Sequence, residues 1–165
     1  MSKKFTIIIP TFKNINYLKL CIESILKNSS ISHQLIIHIN GIDEETEFFL
    51  NQKKILYTKT DTNVGLCSGV NLAANKADTN YILYAHDDMY FLPDWDIRLD
   101  EEVMKIKHNN FYLSMTHISC MNGVKGDIQH IVFDCGSDFK EFNENKLLNN
   151  YHKFNFRNIQ GSHWA

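Results

Sequence analysis

The chain has 165 residues, of which 44% are hydrophobic and 22% charged, with a formal net charge of −2. That length supports a single domain with a well-buried core, and the charge gives no support for a protein that binds a nucleic-acid backbone. No apolar run approaches the ~20 residues needed to span a bilayer, and "MSKKFTIIIP" is too short in apolar residues for a signal peptide.

Phe5 to Ile9 is a β-branched run stopped by Pro10 and predicts a buried strand. Tyr17 to Lys27 places Leu18, Cys21, Ile22 and Ile25 at helical spacing, until Asn28, Ser29 and Ser30 break it. His33 to Asn40, "HQLIIHIN", predicts a second strand ended by Asn40-Gly41. The acidic Asp43 to Thr46 suits the first turn of a helix, where the macrodipole favours negative charge. "KILYTKT" predicts a third strand, Val70 to Lys76 a short helix, and Tyr81 to Ala85 a fourth strand.

This alternation implies crossover connections and an α/β fold with a mostly parallel open sheet, flanked by helices on both faces. Ligands of such sheets bind beyond the carboxyl ends of the strands. Three polar segments each follow a predicted strand and so converge on that edge: "PTFKN", "NGIDEET" and "HDDM". Further on, Trp95 to Lys107 predicts a helix with Ile97, Val103, Met104 and Ile106 inward. Phe111 to Ser119 predicts a strand, and "GDIQHIVFDCG" a partner in a hairpin after Asn122-Gly123. Phe139 to Arg157 has weak periodicity and predicts loop with irregular helix.

The stretch "YILYAHDDMYFLPDWD" brings a strand into His86, Asp87 and Asp88. Adjacent carboxylates repel, so the arrangement costs stability unless water, a cation or a phosphate partner compensates. A solvated strand end is the plain alternative. Cys21, Cys67, Cys120 and Cys135 form no CxxC pair, which favours reduced thiols in a cytoplasmic protein. The histidines show no HExxH spacing, and no GxGxxG or GxxxxGK[ST] loop is present. Trp95 is either a sugar-stacking ring or, more commonly for such a position, a core residue.

"FTIIIPTFKN", "INGIDEET" and "NVGLCSGVNLAANKADTNYILYAHDDM" together resemble the nucleotide-binding half of family-2 glycosyltransferases with a GT-A fold. The resemblance covers roughly residues 5–105 and rests on Pro10, Thr11, Phe12 and Asn14, then Asn63, Gly65, Asn71 and Ala77. It implies one GT-A-like domain over 1–165, with 1–105 binding the nucleotide sugar and 106–165 a partial acceptor side. The family's DxD metal motif falls on His86-Asp87-Asp88, which makes Asp88 a metal ligand with His86 assisting. Pro10, Thr11, Asn14, Asn40, Asn63, Gly65, Asn71 and Asp87 are then expected at the nucleotide. The family's base-recognising aspartate is absent; Ile39 and Asn40 occupy that corner, and Asn40 is the surviving candidate for recognising the base.

The resemblance further implies inverting transfer from a nucleotide-diphosphate sugar, a UDP-sugar being favoured, to a hydroxyl on a glycan or lipid-linked acceptor. Mn²⁺ or Mg²⁺ would neutralise the leaving diphosphate, and an imidazole ligand at His86 tilts the choice toward Mn²⁺. A cytoplasmic location is expected, at most peripheral to the inner face of a membrane. No segment matches the family's later acidic motif, so the catalytic base is unassigned and His163 is only a weak candidate. A shortened chain that binds donor and metal yet transfers sugar slowly or not at all is therefore expected. A non-catalytic sugar-nucleotide-binding module and a nucleotidyltransferase are the alternatives, the latter weakened by the absence of glycine in "PTFKNIN".

Overall fold

The computed structural model describes residues 3–120 and 130–154. They fall into two compact units, residues 1–104 and 105–165. The first unit holds strands β1 (Thr6–Thr11), β2 (Gln34–Asn40), β3 (Leu56–Thr60) and β4 (Ile82–Tyr84). Helices α1 (Ile15–Asn28), α2 (Glu44–Lys53), α3 (Leu66–Ala74) and α4 (Trp95–Lys105) alternate with them. All pairings are parallel, in the order β3-β2-β1-β4.

Burial explains the strand sequences. Ile7, Ile9, Ile37 and Ile39 pack on one face with Leu18, Cys21, Ile22 and Ile25 of α1 and with Phe49 and Leu50 of α2. Ile8 and Ile36 face the other way, onto Ala73 and Val70 of α3. A strand buried on both faces reads as an unbroken apolar run, as Ile7, Ile8 and Ile9 do. Helix α2 starts where Asp43 accepts a hydrogen bond from the Thr46 amide, with Glu44, Glu45 and Glu47 in its first turn.

Pro10 lies inside β1, in register with His38, and does not stop the strand. Thr6 and Ile8 bond toward β4, through Thr6 N to Tyr81 O and Ala85 N to Ile8 O. Alternation turns Pro10 the same way, and the β1–β4 ladder has ended at Ile8 and Tyr84. Its missing N–H therefore costs no ladder bond.

Helix α4 buries Trp95, Asp96 and Val103, whereas Met104 is 67% exposed rather than inward. Trp95 is a core ring, 4.8 Å from Phe91 and 5.1 Å from His33. The Asp96 carboxylate accepts from the amides of Ser30 and Ile31 and meets His33 Nε2 at 3.0 Å.

In the second unit, β5 (His117–Ser119) and β6 (His130–Val132) pair in parallel, which excludes the expected hairpin. Tight turns join antiparallel strands, whereas a parallel return needs a longer connection. Residues 111–116 carry no strand, and the Asn122-Gly123 turn lies outside the described residues. Short α5 (Glu144–Leu148) and a 3-10 turn at Tyr151–Lys153 supply the irregular helix expected there.

His38 is fully buried on β2, with Nδ1 hydrogen-bonded to Thr58 Oγ1 at 2.8 Å and no partner at Nε2 among the described atoms. A Cβ on Gly69 of α3 would sit 2.5 Å from its Cδ2. Gly69→Ala should therefore destabilise the fold by about 1–3 kcal/mol in urea titrations, despite alanine's better helix propensity. Burial also holds the His38 pKa below its ordinary 6.5. Below that pH the unfolded chain takes up a proton that the folded chain refuses, so stability falls as the medium is acidified. Unfolding free energies measured between pH 7 and pH 5 should fall less steeply for His38→Gln than for the parent chain.

Candidate functional site

Strand order places the topological switch point between β1 and β4, since the chain runs outward from β1 through β2 and β3 and then returns to the opposite side. A crevice opens at the carboxyl ends of strands that part in this way. Residues from both lips close on one carboxylate. Asp87 Oδ2 accepts from Thr11 Oγ1 at 2.6 Å, and Oδ1 accepts from Asn14 Nδ2 at 3.0 Å. Burial raises the Asp87 pKa and the neighbouring Asp88 adds to this, while the two hydrogen bonds oppose it.

The loop after Asp88 is fixed to the end of α1. The Phe91 amide donates to Ser24 Oγ at 2.9 Å, and Asn28 Nδ2 donates to Phe91 O at 2.6 Å. Beneath the corner Cys21 is buried, its thiol pushed up to about 12 by desolvation and by the charges of Asp87 and Asp88. It is an inert core thiol that donates to His86 O at 3.6 Å.

With Thr11 and Asn14 tied to one group, the two residues between them bulge outward. Lys13 takes φ 50, a left-handed conformation uncommon for a residue with a side chain. Phe12 is left 51% exposed, its ring against the corner after β2. Gly41 stands there at φ 115, and a Cβ would lie 3.3 Å from Phe12 Cε2. Phe12 thus joins the candidate site, though its place in the motif did not single it out; a large aromatic directly after a strand of buried residues was the available signal.

The remaining expected residues divide. Pro10 and Thr11 are buried at the end of β1, and Asn40 at the end of β2. Asn63 Oδ1 accepts from the Gly65 amide at 2.9 Å, shaping the turn that enters α3, and Gly65 holds φ 82. Asn71 lies on the exposed surface of α3. His86 is drawn back along β4, with Nε2 2.9 Å from Tyr84 Oη and the rings 5.1 Å apart. Asp88 is exposed at the turn. His163 lies outside the described residues.

No three His, Cys, Asp or Glu side chains gather as a metal-binding group among the described residues. The His86 ring is held against Tyr84, whereas Asp88, exposed at the turn, offers one ligand. That fits Mg²⁺ or Mn²⁺ sites in which substrate phosphates and water complete the shell. Removing the central acceptor tests the closure. Asp87→Ala should cost about 1–3 kcal/mol in urea denaturation, a value held down by the partial solvation of the carboxylate, and Asp87→Asn should cost less.

Two curated relatives match part of the chain. Glycosyltransferase GlyA of Streptococcus pneumoniae serotype 4 is 25% identical over 118 residues, covering 66% of this chain and 17% of the relative. An uncharacterized glycosyltransferase of Rickettsia bellii is 29% identical over 117 residues, covering 68% of this chain and 16% of the relative. The chain thus spans about a sixth of the length of these relatives. Among solved structures, S. aureus TarS 1-349 superposes with a TM-score of 0.60 at 16% identity, over 76% of this chain and 39% of that one. The same TarS segment in complex with UDP-GlcNAc gives a TM-score of 0.58 at 18% identity, over 74% and 36%. At such identities the likeness establishes the shared GT-A-like fold. The sequence model of Glycosyl transferase family 2 matches residues 6–165, and the chain belongs to that family.

Proposed function

We propose that this chain forms the donor-binding part of a glycosyltransferase that uses a nucleotide-diphosphate sugar, a UDP-sugar being favoured. The observation that supports this is the closed corner at the switch point: Asp87 is bonded to Thr11 and Asn14 while Asp88 is left exposed beside it. The TarS complex with UDP-GlcNAc, a neighbour in fold, supports the same donor class.

In this reading the exposed Phe12 ring offers a face to the nucleobase, and the Asn63–Gly65 turn borders the same corner. Asp88, assisted by His86, would hold a Mn²⁺ or Mg²⁺ ion, which when bound supplies positive charge to the departing diphosphate. Transfer is inverting, to a hydroxyl of a glycan or lipid-linked acceptor. That hydroxyl needs a positioned base, typically worth ~10²–10⁴-fold. Neither Asp87, held by two hydrogen bonds, nor Asp88, on the diphosphate side, suits that part. No helix among the described residues is long and apolar enough to cross a membrane. A cytoplasmic site of action, peripheral to the inner face of a membrane, is part of the proposal.

Calorimetry with UDP, GDP and CDP, each with and without Mn²⁺, tests the reading directly. Metal-dependent binding of UDP is expected, and failure of all three nucleotides would overturn it. Asp88→Asn should weaken the metal-dependent component at least ~10-fold, in line with the loss of a charged ligand. Asp94→Asn is the matched control. Asp94 has φ 60, which asparagine tolerates, and its carboxylate accepts from Ser30 Oγ at 3.0 Å. Equal losses from the two substitutions would remove Asp88 from the metal corner.

A further inference from the structure

The end of β2 carries a residue whose side chain is already committed. Asn40 is 6% exposed. Its Oδ1 accepts from the Val64 amide at 2.8 Å, and its Nδ2 donates to Gly65 O at 3.2 Å. One primary amide thus satisfies a donor and an acceptor of the same turn, as a paired backbone strand would. Asn63 adds a bond within that turn, from the Gly65 amide to its own Oδ1 at 2.9 Å. The turn opens α3, whose first residues have no side-chain cap, so the start of the helix is placed by Asn40 and Asn63 together.

We infer that Asn40 is a positioning residue which clamps the Asn63–Gly65 turn against the end of β2, and that it does not select the nucleobase. This rests on the donor reading given above. An amide that read uracil against cytosine would have to turn an oxygen toward the ring N3–H of one or a donor toward the N3 of the other. Oδ1 and Nδ2 of Asn40 instead face the main chain of residues 64 and 65, in a nearly buried position. The clamp is also specific to an amide. An aspartate in its place would keep the bond from Val64 but would set a carboxylate oxygen against Gly65 O. Asn40 itself therefore adds no discrimination between pyrimidines, and the affinity that it contributes is shared by every nucleotide that uses the turn.

The experiment combines calorimetry of UDP and CDP in the presence of Mn²⁺ with amide hydrogen exchange of the free protein. The parent chain, Asn40→Ala and the near-isosteric Asn40→Asp are compared. Exchange at the Val64 amide should accelerate roughly tenfold in Asn40→Ala, which loses both bonds, and less in Asn40→Asp, which keeps the bond to that amide. Affinities for UDP and CDP should fall together, leaving their ratio within about twofold of the parent value. Unchanged exchange at Val64 in Asn40→Ala would overturn the clamp. A ratio altered more than about fivefold by either substitution, including a gain of uracil preference in Asn40→Asp, would overturn the second half. Failure of the parent chain to bind either nucleotide would refute the donor reading and leave the exchange measurement to decide the clamp. If Asn40→Ala does not fold, Asn40→Ser, whose hydroxyl can keep at most one of the two bonds, replaces it in both measurements.

Discussion

The pair of hydrogen bonds from Thr11 and Asn14 to the Asp87 carboxylate is the constraint on which the rest of the site depends. They cross the gap between two strands that part company at this edge of the sheet, and they join the start of α1 to the loop after β4. Because the two partners close the short link from the end of β1 to the start of α1, the chain between them has few conformations left. The outward Phe12 and the left-handed Lys13 follow from that closure. The same bonds oppose the rise in the Asp87 pKa that burial and Asp88 produce. A carboxylate held in this way can shape the corner; its exposed neighbour can meet a ligand.

A second set of ties extends the corner sideways. The Phe12 ring leans on Gly41, and Asn40 holds the turn that enters α3. Four segments far apart in sequence thereby form one connected surface: the loop after β1, the end of β2, the turn before α3 and the loop after β4. Each tie is short and polar or a close aromatic contact, and none requires a long flexible side chain. Such a surface loses little conformational freedom when it meets a rigid ligand, which is what pre-organisation means in energetic terms.

Much of this was legible in the sequence, for physical reasons. Strands buried on both faces leave unbroken β-branched runs, and an amphipathic helix such as α1 leaves its spacing, so their order alone implied a parallel sheet. The polar segments ending those strands then had to converge. What could not be read was how the polar groups pair once there. Asn40 stood as the candidate base reader, and the structure turns it to Val64 and Gly65. Phe12 was seen only as part of a motif. Pro10 was taken for a stop because its ring forbids a ladder bond, yet the bond it lacks would have faced a ladder that had already ended. In the second unit the strands are three residues long, too short for periodicity to fix their direction, and β5 and β6 proved parallel.

Pro10 has one more effect. Past Ile8 the flank of β1 that faces β4 has no neighbour in the sheet, so the carboxyl end of an otherwise covered strand carries a short stretch of edge. Exposed edges with free amides are templates on which foreign strands assemble. At this position the backbone offers no amide hydrogen at all. An incoming peptide would therefore find no donor there with which to extend the sheet.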